Sequence, residues 1–354
     1  MDVYILNQNF ETVSMIDSYT SLIWTDRYYK AGDFEIYMPT SNENLAKFKP
    51  DYYLWNKDSE HLMIIEDIKT TSDIESGNNL TVTGRSLESI LERRIVWSPT
   101  EFAANTSLQT AFKTLIENNI IGTHNGSAIS GFVAERKISN FIFEDSTDPA
   151  ITTLTLEAQY DGDNLYEIIT AICEEKKIGF KITLNSNNQF VFKLYTGVDR
   201  SYNQSTNSFV VFSPNFENIV NSEYTENKSS YRNVMLVVGE GDNPKRIAAG
   251  ETLLPGLDRR EIYAQINNLK AENTDAQYRE KGIEELKKYK TEKVFEGEVE
   301  TSKIFIYQRD YFIGDILELE DEYGRQARTR VVEFIRSQDD SGFKAYPSFE
   351  VISD

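Results

Sequence analysis

The sequence predicts an α+β chain that is mainly β and built from more than one domain. Runs in which apolar and polar residues alternate occupy both ends of the chain, and capped helical stripes lie mostly between them. That order suits a segregated α+β protein better than a doubly wound sheet. Aromatic residues make up 12% of the chain, nearly all of them 20 Tyr and 20 Phe, whose flat rings pack well on a pleated face. The length of 354 residues exceeds the ~150 of a typical domain and suggests two or three domains.

The elements follow in order. Asp33–Met38 and Leu80–Thr83 carry the period of half-buried strands, and His61–Lys69 reads as a more buried strand that regains alternation at its end. Gly77-Asn78-Asn79 is a turn between two of these runs, so a hairpin is expected. Ser86 is placed to cap a short helix whose apolar side is Leu87, Ile90 and Leu91. The pattern changes near Ser98-Pro99. Thr106 and Gln109 have the spacing of a capping box, ahead of a stripe of Leu108, Phe112, Leu115 and Ile116. A polar, turn-rich stretch covers Gly122–Gly131. Asn164 caps a second helix with Glu167 at its third position and Leu165, Ile168, Ile169 and Ile172 inward; Lys176-Lys177 and Gly179 suit its C-terminal end. Phe180–Leu184 and Phe190–Leu194 form a hairpin across Asn185–Asn188, and residues 195–208 read as a loop. Strand runs recur at Phe209–Phe212 and Asn233–Val238, the second followed by a turn at Gly239–Pro244. A charged helix spans about Ala276–Lys290, capped by Thr274, with Ile283, Leu286 and Tyr289 inward. Strands return at Phe295–Glu300, Asp315–Leu319, Thr329–Ile335 and Phe343–Val351. Alternation puts Asp315, Leu317 and Leu319 on one side of their strand; if the apolar set packs inward, Glu318 and Glu320 face solvent.

Charge bounds the partners. With 37 Lys and Arg against 57 Asp and Glu, the net charge is −20. Such a chain gains little from phosphates or from an anionic membrane surface. The surplus serves solubility, or a surface past which DNA slides without sticking. The single cysteine, Cys173, excludes an intramolecular disulfide and ends an apolar run that reads as core. Met1–Leu6 lacks the basic region and apolar run of a secretion signal, and no stretch approaches the ~20 apolar residues of a membrane span, so cytoplasmic synthesis without membrane insertion is expected. The two histidines are His61, after the turn-like Lys57–Glu60, and His124, in the turn Gly122–Gly126; neither has zinc-ligand spacing, and both are expected at the surface. There is no nucleophile elbow, P-loop or dinucleotide fingerprint. Gly239-Glu240-Gly241 reads as a hairpin turn, and Asp161–Asn164 as a turn plus helix cap without the ligand spacing of an EF-hand. Arg93-Arg94 and Lys287-Lys288 read as solvated helix faces or local ion-pair partners. The residues therefore name no catalytic, cofactor-binding or metal site, and no cofactor.

Five stretches carry a resemblance: Trp24–Tyr28; Gly32–Ile36 with Pro39; Leu80–Val96; Gly314–Leu317 with Arg330–Glu333; and Pro347–Phe349. Together they resemble a siphovirus family of tail-hub or tail-associated proteins, encoded by phages and prophages of Gram-positive bacteria. The resemblance spans roughly the whole chain, and its order and spacing carry more weight than any one motif. It implies a fold like the trimeric hub of contractile-phage baseplates. In such a hub each subunit brings two similar β-barrel tube domains, so that three subunits imitate a six-fold ring on a hexameric tail tube. On this chain it implies one tube domain at 1–100, completed by about 211–240, and another at 241–354 carrying the charged helix. A peripheral α+β region at 101–210 lies between them. The implied function is structural: a tail-tip hub of the virion that caps the tail tube and forms part of the DNA conduit, without catalysis of its own and without stable nucleic-acid binding. The implied partners are other copies in a homotrimer, the distal tail protein, the tail-tube rings, the tape-measure protein and a host-binding fibre. Many relatives continue into a hydrolase or host-binding extension; this chain stops at Asp354 without one, which weighs against lytic activity. Two alternatives stay open: a tail-borne hydrolase of cell-wall polymer, and a receptor- or glycan-binding tail module.

Overall fold

The computed structural model describes residues 1–75, 77–241, 243–266, 269–299 and 304–352. The chain opens with β1 (Val3–Leu6), β2 (Thr12–Ile16), β3 (Ser21–Arg27) and β4 (Asp33–Pro39). A short helix, α1 (Asn42–Lys47), precedes β5 (Tyr53–Asn56), β6 (Met63–Asp73) and β7 (Gly77–Ser86). These strands lie in the spatial order β3-β4-β7-β6-β5-β1-β2. One face of this array is apolar, and Leu22, Trp24, Ile36, Leu80 and Val82 on it are fully buried with Val3 and Ile5. The expected β6–β7 hairpin is present, but its turn falls at Ile74–Glu75, and Gly77 to Asn79 already belong to β7. Beyond a bulge between Ile65 and Asp67 the strand is exposed except for the half-buried Ile68, so the expected alternation is reduced to that one position. Gly84 faces Phe34 in register, and a side chain there would put a Cβ 1.8 Å from the Ile64 carbonyl, so only glycine fits.

A 3-10 turn over Leu87–Arg93 buries Leu87, Ile90 and Leu91 as expected, but the Ser86 hydroxyl accepts from the Gly32 N–H instead of capping it. Next come β8 (Thr100–Ser107) and α2 (Leu108–Ile116), which buries Leu108, Phe112, Leu115 and Ile116. The expected capping box is not formed. Ser107 is the cap residue, the Thr106 hydroxyl donates to the Ala103 carbonyl, and Gln109 instead holds the Ser146 N–H. A tiny hairpin of β9 (Thr123–His124) and β10 (Ser127–Ala128) leads to β11 (Phe141–Glu144), α3 (Pro149–Thr152), β12 (Thr155–Tyr160) and α4 (Leu165–Lys176). Asn164 caps α4 by accepting from Tyr166 and Glu167. The left-handed residue at its other end is Lys177, not Gly179. Gly179 opens β13 (Gly179–Leu184), where a Cβ would lie 2.4 Å from the Tyr28 ring. β13 pairs with β14 (Phe190–Tyr195), and β11 joins β14 in parallel. The rings of Phe112, Phe143 and Phe180 all pack on Phe192. The short β15 (Val211–Phe212) follows the predicted loop.

The next stretch holds β16 (Ile219–Asn227), β17 (Val234–Val238), β18 (Arg246–Gly250), β19 (Glu261–Gln265), α5 (Asp275–Leu286) and β20 (Glu292–Val299). Of the predicted strand Phe295–Glu300, Glu300 lies outside the described residues, as does Asp242 of the predicted turn. β17 is flanked by β18 and, in parallel, β19. Thr274 and Gln277 form a true capping box on α5. The helix buries Tyr278 and Gly282 and leans Leu286 on the same core, while Ile283 is exposed, contrary to expectation. Positions 278, 282 and 286 follow the four-residue spacing of one narrow stripe, and Ile283 lies one step, about 100°, off it.

The last strands are β21 (Ile316–Glu320), β22 (Gln326–Asp339) and β23 (Gly342–Val351). β22 is 14 residues long. It pairs with β21, with β23 and with β3, so the C-terminal strands extend the N-terminal sheet to eleven strands. By contacts the chain divides into Met1–Asn221 with Gly297–Ile352, and Ser222–Glu296. This differs from the expected division at 100, 210 and 240, because β22 hydrogen-bonds residues some 300 positions away in sequence. Among the described residues no sheet closes into the expected barrels; the large sheet runs from β15 to β2 without pairing its ends.

Candidate functional site

A group of buried charges lies where β3, the segment before β6, β13 and β22 approach the 3-10 turn. β3 breaks its alternation at Thr25-Asp26, and both are buried. Asp26 accepts from Trp24 Nε1 at 3.2 Å, Ser59 Oγ at 2.7 Å and Arg336 Nη1 at 2.7 Å. The Arg336 guanidinium also lies over Phe334, 4.8 Å from its centroid, and Phe334 stacks on Tyr307. His61 Nδ1 meets Glu88 Oε1 at 3.1 Å, and that oxygen also accepts the Ile182 N–H. Lys181 pairs with Glu60. Asp315, 2% exposed, accepts from Arg200 Nε at 2.8 Å and from the Val198 N–H. Asp26, Glu60, His61, Lys181, Tyr307 and Asp315 all line one cavity of about 230 Å³.

Burial by itself lowers the His61 pKa, but Glu88 and Asp26 outweigh it and lift it to about 9. His61 is therefore a fixed cation at neutral pH, unsuited to shuttling protons there. Burial likewise pushes Glu88 up, yet His61 holds it below the usual carboxylate range. Each of the four acids faces its own cation: Asp26 with Arg336, Glu88 with His61, Glu60 with Lys181, Asp315 with Arg200. Such an array locks strands together. Among the described residues no group of three or more His, Cys, Asp or Glu could hold a metal ion. No described helix is long and apolar enough to cross a membrane.

Three residues sit differently from the sequence reading. His61 is buried, not at the surface, because its partner Glu88 comes from 27 positions away. Glu318 is buried, not solvent-facing: β15 covers β21 there, and the Tyr202 N–H approaches its carboxylate. That burial holds its carboxyl above the ordinary range. Glu320 is half-buried. Of the arginine pair, Arg93 binds Asp51, whereas Arg94 bonds only to backbone carbonyls. His124 is exposed as expected, beside Glu117, and Cys173 is buried. The quoted motif Trp24–Tyr28 is where the network starts, and its broken alternation was the available signal.

A family profile described as Siphovirus ReqiPepy6 Gp37-like protein matches residues 2–349. The chain belongs to that family. It is a phage tail structural protein. Its fold is also that of solved tail proteins. The 43 kDa tail protein of prophage MuSo2 from Shewanella oneidensis superposes with a TM-score of 0.59 at 12% identity, covering 99% of this chain and 98% of that one. The tail protein from Neisseria meningitidis MC58 gives 0.57 at 11%, with 99% and 96% covered. Prophage tail protein gp18 from Listeria monocytogenes EGD-e gives 0.53 at 11%, with 100% and 95% covered. No curated protein matches in sequence.

Proposed function

We propose that this tail protein is a tail-tip hub that caps the tail tube and forms part of the DNA conduit, without catalysis of its own. The observation that carries the reading is a free sheet edge bearing an apolar face. β2 ends the eleven-stranded sheet, and Val13 and Met15 on it are exposed. Met15 lies in register with Tyr4, and Tyr4 with the exposed Trp55, which it contacts. Such an edge invites another chain. A ring of identical subunits supplies one, and a homotrimer is the ring the hub reading calls for. The remaining neighbours in this reading are the distal tail protein, the tail-tube rings, the tape-measure protein and a host-binding fibre. The net charge of −20 suits a conduit whose lining is acidic or neutral, since a ring of Lys and Arg would hold phosphates. Carboxylates each neutralised by a cation give no support to a hydrolase. Light scattering of the purified chain, together with images of assembled tails, tests the reading. Three-subunit rings at the tail tip are expected; a strict monomer in both settings, or a lumen dominated by Lys and Arg, overturns it.

A further inference from the structure

The chain has a net charge of −20, yet two neighbouring, partly buried arginines find no carboxylate. Among the described residues, Arg94 and Arg136 make no ion pair. Arg94 donates to the carbonyls of Arg136 at 2.9 Å and Arg93 at 2.8 Å. Arg136 donates to the Ile95 carbonyl at 2.7 Å and to the Asn119 side chain. Neutral acceptors thus fix both guanidiniums in place without cancelling their charge. Burial lowers the pKa of each, and an adjacent arginine lowers it further, as expected of cations short of a counter-ion. An arginine stays charged nonetheless, so an incoming anion would relieve both.

The surroundings narrow what that anion is attached to. Arg136 sits 4.9 Å from the centroid of the Trp97 ring, which is 57% exposed. Trp97 and Arg136 line a cleft of about 110 Å³ whose other walls include Ser98, Thr100, Asn118 and Ser130. Arg94 lines a second cleft, of about 340 Å³, with Gln8, Tyr53, Phe190 and the ion-paired Asp51 and Arg93. Each cleft therefore offers an aromatic face and one guanidinium without a carboxylate partner; the first adds neutral hydrogen-bonding groups, and in the second the one carboxylate, Asp51, is already held by Arg93. Hydroxyl and amide groups suit the hydroxyls of a sugar, a flat ring suits its apolar face, and a guanidinium fork suits a carboxylate or phosphate. We propose that Arg94, Arg136 and Trp97 form a binding site for an acidic glycan, a hydroxyl-rich chain carrying carboxylate or phosphate groups. A nucleic acid is disfavoured: its affinity rests on many neutralised phosphates, and the chain carries a large negative net charge.

Isothermal titration calorimetry and tryptophan fluorescence of the full chain at low salt test this. The probes are trigalacturonate, a glycerol-phosphate oligomer, neutral cellotriose and a single-stranded DNA 12-mer. Saturable binding of at least one acidic probe is expected, and which one binds separates carboxylate from phosphate as the recognised group. R94Q and R136Q should each weaken it about tenfold or more, the loss of one charge-assisted contact. W97F should keep the fold, as judged by circular dichroism, and lose the fluorescence response; it stands in if either arginine variant fails to fold. Equal affinity for cellotriose or DNA overturns the proposal, as does unchanged affinity in all three variants, or no binding of either acidic probe. The assay reads the purified chain, so its result is independent of whether rings form.

Discussion

Replacing His61 with Gln removes the cation that pairs with Glu88 in the core. His61 is 7% exposed and Glu88 1%, with 3.1 Å between Nδ1 and Oε1. A histidine at about 9 when folded and 6.5 when unfolded contributes about 3 kcal/mol. Because the folded value is the higher one, that contribution is fully present below pH ~6.5 and is lost as pH rises through 9. Glu88 runs the other way: its folded value is depressed, so its share is present above the ordinary carboxylate range and is lost as pH falls. The pair therefore stabilises most between roughly pH 5 and 6.5. H61Q leaves a buried, unpaired carboxylate and should cost about 3–5 kcal/mol at pH 6. The assay is urea unfolding at pH 6, 7.5 and 9, followed by tryptophan fluorescence. Trp24, Trp55 and Trp97 all lie in the unit of residues 1–221 and 297–352, so the signal reports the unit that holds the pair. The wild type should lose about 3 kcal/mol more than H61Q between pH 6 and 9. Equal losses in the two proteins would refute the buried-pair reasoning.

D26N removes the anion beside Arg336, which sits in an equally buried pair at 2.7 Å, and should cost about 3–5 kcal/mol in the same unfolding assay. G84A drives a Cβ to 1.8 Å from the Ile64 carbonyl and should cost about 3 kcal/mol, measured as a lowered unfolding midpoint; a neutral result would mean β6 and β7 separate more freely than their register implies. T274A breaks the capping box of α5 and should cost about 1 kcal/mol, seen as faster amide exchange in Val234–Val238 with an unchanged tryptophan transition.

Local physics made much of the chain legible. Alternation placed β4 and β7, since a pleated strand shows its burial every second residue, and apolar runs placed β13, β14, β22 and β23. The stripe of Leu108, Phe112, Leu115 and Ile116, and the caps Asn164 and Thr274, needed only residues within one or two helical turns. The absence of any recognised catalytic motif and the family resemblance were also written in the sequence. Some errors were local, as at the β6–β7 turn, Lys177 and Ile283; others came from partners the sequence does not show. Ser86 and Thr106 were read as caps, yet tertiary or loop partners took their hydroxyls. His61 and Glu318 were read as surface residues because sequence gives no sign of Glu88 arriving from 27 positions away or of β15 covering β21. The division by contacts has the same origin, since β22 pairs with β3. Propensity, period and capping act over a few residues, and these the sequence determined by itself. Strand partners, burial of a charge and the counter-ion it finds depend on contacts between distant segments, and only the tertiary structure decided them.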